Sequence, residues 1–182
     1  MEKLNIGIIL GSTRRGRLSP QVGNWVKEIA QQHEDVNYEI LDIVDYNLPF
    51  LGTETGKERG IVAWKTKLSS MDGFIFIVQE YNHSITGALK NALDSAYEEW
   101  NNKAAGIVSY GSTGGARAAE HLRGILGELS VATVRAHPTL SIFTDFTKSK
   151  EFKPADVHTN YVTEMLDQIL SWSRALKTVR KS

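Results

Sequence analysis

The chain has 182 residues, with 21 Lys+Arg against 21 Asp+Glu and no cysteine. The balanced charge gives no field for nucleic acid or an acidic partner, and the missing thiols exclude disulfides, thiolate catalysis and Cys-ligated metals together. No apolar stretch approaches membrane-spanning length, and Met1–Asn5 run straight into a strand without a leader, so a cytoplasmic protein is expected.

Strand-like and helical runs alternate, the pattern of a parallel sheet covered on both faces. The first strand is Asn5 to Leu10, followed by a Gly/Arg loop and a helix from about Pro20 that buries Val22, Trp25, Val26 and Ile29. A second strand spans about Val36 to Ile43. A helix then places Ile61, Trp64, Leu68 and Met71 on one face. The third strand, Phe74 to Val78, is wholly apolar and stops at the polar loop Glu80–Ser84; a helical pattern follows from Thr86 through Leu89, Ala92, Leu93 and Ala96. The fourth strand is Ala105 to Ser109, leading through Gly111–Gly115 to a helix with Leu122, Ile125, Leu126 and Leu129 in register. The fifth is Val131 to Ala136. Pro138 to Lys153 has no clear period, and a last helix sets Met165, Ile169, Trp172 and Leu176 on one face. The expectation is one α/β domain over residues 1–182, a flavodoxin-like three-layer sandwich on a five-stranded parallel sheet of order 2-1-3-4-5. In that order the loops after strands one, three and four meet at one edge, where open α/β sheets bind ligands.

Those three loops are the chemically distinctive ones. Gly11 to Ser19 combines two glycines, hydroxyls and three arginines beside a positive helix end, which are the ingredients of a terminal-phosphate site. It is no Walker A loop, because Arg17 and Leu18 follow Gly16 where Lys and Ser/Thr are needed. It lacks G-x-G-x-x-G, and the first strand ends without the acids of a receiver domain. The alternative is a solvated basic turn. Tyr81 and Asn82 offer an aromatic ring, an amide and free backbone N–H groups, which suit a flat, polar-edged ring. Gly114-Gly115 lets a backbone approach a planar ligand without a Cβ clash; an ordinary βα turn is the other reading. No second histidine stands at ligand spacing to His83, and the remaining histidines are scattered, so no metal is expected.

Gly11-Ser12-Thr13-Arg14, Glu80-Tyr81-Asn82 through Gly87, Leu89 to Asp94, and Gly111-x-x-Gly114-Gly115 together resemble the small NAD(P)H-dependent FMN reductase family. Tyr97-x-x-Trp100 to Gly115 is most similar to its quinone- and azo-reductase branch. The resemblance implies bound FMN, NAD(P)H as co-substrate, a small-molecule electron acceptor (a quinone, azo compound or flavin) and a homodimer. It places Ser12 and Arg14 on the FMN phosphate, with Arg17 and Ser19 as further contacts. Glu80, Tyr81 and Asn82 would lie along the dimethylbenzene and pyrimidine edges, and Tyr110, Gly111, Ser112, Gly114 and Gly115 along the other polar edge. Gln79 stands where the family often has proline and restores a backbone N–H beside the flavin. No side chain is required as acid or base. A flavodoxin-type electron carrier or a flavin-binding regulatory protein is the competing function. Tyr97-Glu98-Glu99-Trp100, read as the end of the third helix, sets aromatics beside acids as interfaces do; the other reading has Trp100 packed beneath a loop.

Overall fold

The computed structural model describes residues 3–53 and 59–180. Six strands and five helices follow in the order β1 (Leu4–Leu10), α1 (Ser19–Ala30), β2 (Val36–Asp42), α2 (Arg59–Ser69), β3 (Gly73–Gln79), α3 (Gly87–Asp94), β4 (Lys103–Gly111), α4 (Ala116–Glu128), β5 (Val131–Thr133), β6 (Thr139–Ser141) and α5 (Val157–Arg180), with a 3₁₀ turn at Ile43–Tyr46. All pairings are parallel, in the order β2-β1-β3-β4-β5. The expected flavodoxin-like sheet is present.

The unbroken apolar run of β3 follows from its central place. Successive side chains leave opposite faces of a strand, so Phe74, Phe76 and Val78 enter one apolar layer while Ile75 and Ile77 enter the other. The first layer lies under α2, α3 and α4, around Trp64, Trp100 and Leu122. The second lies under α1 and α5, around Val22, Val26, Met165 and Ile169. Helix α5 sits close on the sheet at Gly106, where an added Cβ would fall 2.5 Å from Ile169 Cδ1 and 2.7 Å from Met165 Sδ.

Four expectations change. Helix α3 stops at Asp94 and Ser95 takes its C-cap, so Ala96 to Trp100 form a turn and not a helix end. Trp100 is fully buried there, donates from Nε1 to Leu93 O at 3.0 Å, and meets Phe74 edge-to-face at 4.9 Å. The packed-beneath-a-loop reading of Trp100 is the right one. Trp172 stands 45 % exposed, because the buried face of α5 runs through Val162, Met165, Leu166, Ile169 and Leu170. The fifth strand ends at Thr133. Its line along β4 is taken up again by β6, which pairs Ser109–Gly111 after a break at residues 134–138.

Candidate active site

The phosphate loop is shaped by its own backbone and one strand-end acid. Arg17 N donates to Arg14 O at 3.1 Å, closing a turn that carries Gly16 at φ +71°. Arg17 Nη1 donates to Ser12 O at 2.7 Å and to Asp42 Oδ1 at 2.8 Å, while Nη2 forms a very short contact with Asp42 Oδ2. Asp42 is the last residue of β2, so this pair ties the loop to the neighbouring strand. Arg17 therefore shapes the loop and is neutralised in place. Arg14 reaches out instead, its Nη1 donating to Tyr81 OH at a long 3.4 Å. Ser12 is buried, and its Oγ accepts from Arg14 N at 3.3 Å. Ser19 begins α1 after a residue that caps with no side chain, and its buried hydroxyl faces the Tyr110 phenol.

The ring loop is anchored on both sides. Thr86 Oγ1 accepts from Leu89 N at 3.0 Å, capping α3, and donates to Gly11 O at 2.6 Å. Gln79 Nε2 donates to the same Gly11 O at 2.9 Å, leaving its buried Oε1 without a partner. Tyr81 and Ser84 close a two-residue hairpin by N–H···O bonds of 2.9 and 3.0 Å. Asn82 and His83 occupy its centre at φ +48° and +68°, the left-handed pair such a turn demands. Glu80 accepts from Arg117 N at 3.2 Å and from Arg117 Nε at 2.7 Å, with a closer contact to Nη2. The Arg117 guanidinium, first among the causes, holds the Glu80 carboxyl below its ordinary value. The Glu80 carboxylate thus joins the loop to the start of α4.

The third loop continues from Tyr110, whose ring is buried and stacks toward Phe146 at 5.9 Å. Burial holds its phenol protonated far above its usual range, so Tyr110 offers the cleft backbone and ring wall, with no anion. Gly114 and Gly115 adopt φ +70° and +74°. A Cβ on Gly115 would stand 2.8 Å from Tyr110 N and O, so glycine here is required by the turn itself.

These loops bound a cleft of about 530 Å³, within the size range of cofactor pockets. Its wall includes Ser12, Arg14, Arg17, Gln79, Glu80, Tyr81, Tyr110, Gly111 and Ser112. Ser19, Asn82, Gly114 and Gly115 stand outside that wall, beside or behind it. Arg15 and Leu18 of the phosphate loop also line it, and so do Ile142, Phe146, Thr147, Lys148 and Lys150, which sequence reasoning missed. The last five come from the connection between β6 and α5, where only the Phe146 and Phe152 rings signalled burial. A second cleft of about 500 Å³ near Ile43, Phe50 and Ala88 has no ionisable side chain among the described residues of its wall. The first cleft fits FMN by its donor set: guanidinium and hydroxyl groups at a helix start for the phosphate, and the orphaned Gln79 Oε1 for a ring N–H.

A doubly covered parallel sheet with such a cleft at its carboxyl edge is a flavodoxin-like α/β fold with its ligand site at the strand ends. The family described as NADPH-dependent FMN reductase matches residues 4–145, and the chain belongs to that family. It is 33% identical over 166 residues to an NAD(P)H-dependent FMN reductase of Schizosaccharomyces pombe, covering 87% of this chain and 83% of the relative. It is 33% identical over 135 residues to a quinone reductase of Escherichia coli K12, covering 69% and 70%. Among solved structures, the flavoenzyme NAD(P)H:(acceptor) oxidoreductase FerB of Paracoccus denitrificans shares the fold with a TM-score of 0.76 at 18% identity, covering 94% of this chain and 98% of that one.

Proposed function

We propose that the chain is a single-domain FMN oxidoreductase that takes hydride from NAD(P)H and delivers reducing equivalents to a small acceptor, a quinone first among them. The observation that carries this reading is the convergence of Ser12, Arg14, Gln79, Tyr81, Gly111 and Ser112 on one cleft. Bound FMN supplies the two-electron chemistry that no side chain here provides. Ser12 and Arg14 would hold its phosphate. Gln79 Oε1 would accept from a ring N–H, and backbone N–H groups of the Gly111–Ser112 turn would meet the charge that grows on the ring's polar edge. Glu80, Arg17 and Asp42 act one step back, holding the loops in place.

Nicotinamide and acceptor share one open ring face in this reading, because the strand-end loops cover the other. Each must leave before the next enters. Initial rates with a quinone acceptor should therefore give parallel double-reciprocal lines, and anaerobic NAD(P)H alone should bleach the bound flavin. Intersecting lines with a detectable ternary complex would sink the shared-face mechanism. A homodimer and a cytoplasmic location complete the proposal. Tyr97, at 58 % exposure, is the aromatic of the Tyr97–Trp100 segment left for the dimer after Trp100 is withdrawn into the core. Light scattering that finds only monomer at working concentration removes the dimer.

A further inference from the structure

We propose that Lys148 and Lys150 form a second anion subsite on the cleft wall, which takes the 2′-phosphate of NADPH and makes the enzyme prefer it to NADH. The inference rests on the cleft being the flavin site, and it starts from a charge inventory. Among the described residues, five cations line the cleft, Arg14, Arg15, Arg17, Lys148 and Lys150, against one carboxylate, Glu80. Arg17 is neutralised by Asp42, and Glu80 by Arg117. Among the described residues no carboxylate pairs with Arg14, Arg15, Lys148 or Lys150. One FMN phosphate brings about two negative charges near neutral pH. Arg14 and Arg15, on the loop that starts α1, suffice for it. Two cations remain.

Those two lysines are presented by a built turn. Thr147 N donates to Glu151 O at 2.9 Å, and Lys150 N donates to Thr147 O at 2.8 Å. Gln21 of α1 clamps the turn from below: its Nε2 donates to Lys150 O at 3.1 Å and its Oε1 accepts from Phe152 N at 2.9 Å. Phe146 and Phe152 meet at a tilt with centroids 5.0 Å apart, and Phe152 meets Trp25 edge-on at 5.3 Å. Lys150 sits at φ +66°, a conformation in which glycine or asparagine is favoured. A strained lysine, held by clamps on both sides and facing a cleft, is a place to look for function. The part of NADPH that NADH lacks is one phosphate dianion, and two lysine ammonium groups match it as point charges.

The test uses the FMN-loaded protein and its Lys148→Gln/Lys150→Gln double variant. The KM for NADPH should rise roughly tenfold, as should the calorimetric Kd for adenosine 2′,5′-bisphosphate. The KM for NADH, the Kd for 5′-AMP, kcat and the FMN affinity of the apoprotein should stay put. Equal rises for NADPH and NADH place the lysines on a group common to both and overturn the proposal. A loss of FMN affinity assigns them to the flavin phosphate and overturns it too. No change in any readout means a solvated rim. A parent chain that retains no FMN removes the cleft reading itself, whereas one that retains FMN and ignores the substitutions removes this inference alone.

Discussion

Ser109 and His137 are joined by a 2.8 Å contact between Oγ and Nε2 that fixes the tautomer of the ring. The Ser109 hydroxyl already donates to Gly114 O at 2.6 Å, so its oxygen must accept and Nε2 must carry the proton. The chain His137–Ser109–Gly114 pins the diglycine turn from beneath. Burial, then Arg123, push the imidazole down to about 4, against a smaller opposing pull from Glu120. Between that value and the ordinary 6.5 the unfolded chain binds the extra proton and the folded one does not. Stability from this group is therefore complete above about pH 6.5 and is lost as the pH falls toward 4. Urea midpoints of the parent should drop more steeply across that window than those of His137→Gln. Equal slopes would show that the ring titrates alike in both states.

Arg14 and Arg17 differ in consequence. Truncating Arg14 removes a charge-assisted contact to the phosphate worth about 1.5–3 kcal/mol, so FMN should bind roughly ten- to hundred-fold more weakly with thermal stability unchanged. Arg17→Ala instead unties Ser12 from Asp42, and its mark should be a lower melting temperature of the apoprotein. If Arg14→Ala binds FMN like the parent, the phosphate assignment falls.

Glu80 and Arg117 act as one unit. Glu80→Gln and Arg117→Ala should each loosen the ring loop and weaken FMN binding by roughly tenfold, about 1.4 kcal/mol. The double variant should lose little more than either single one. Additive losses would mean that each side chain touches the flavin independently.

Trp100→Ala opens a cavity between Phe74, Phe76 and Trp64 and should cost about 3–5 kcal/mol of stability. At low temperature the variant should still bind FMN, because Trp100 is not among the residues that line the cleft. Dimer dissociation without loss of stability would restore Trp100 to an interface.

The five-strand order and the three converging loops were legible because β3 is buried on both faces and its apolar run ends at a polar loop. Ser12, Arg14, Tyr81 and Gly111 could be placed from that pattern together with a family resemblance. The pairing of Arg17 with Asp42 could not be read, since it joins residues brought together only when β1 and β2 align in register. The wall at Phe146–Lys150 was hidden for a different reason. A three-residue strand is too short for any period to show, and the turn after it is held by Gln21 from a distant helix. Trp100 stayed open between two readings because an aromatic beside two acids suits a surface until the helix is seen to stop six residues earlier.

The carbonyl of Gly11 accepts from Gln79 and Thr86 at once, while Gly11 N donates to Ile77 O at 3.0 Å. A Cβ there would lie 2.9 Å from that oxygen and 3.0 Å from Leu89 Cδ2, so position 11 admits no larger residue without displacing β3 or α3. One peptide group thereby locks the phosphate loop to the ring loop before any cofactor arrives. The ordering entropy of both loops is charged to folding and not to association. Flavin uptake then resembles a key entering a cut lock.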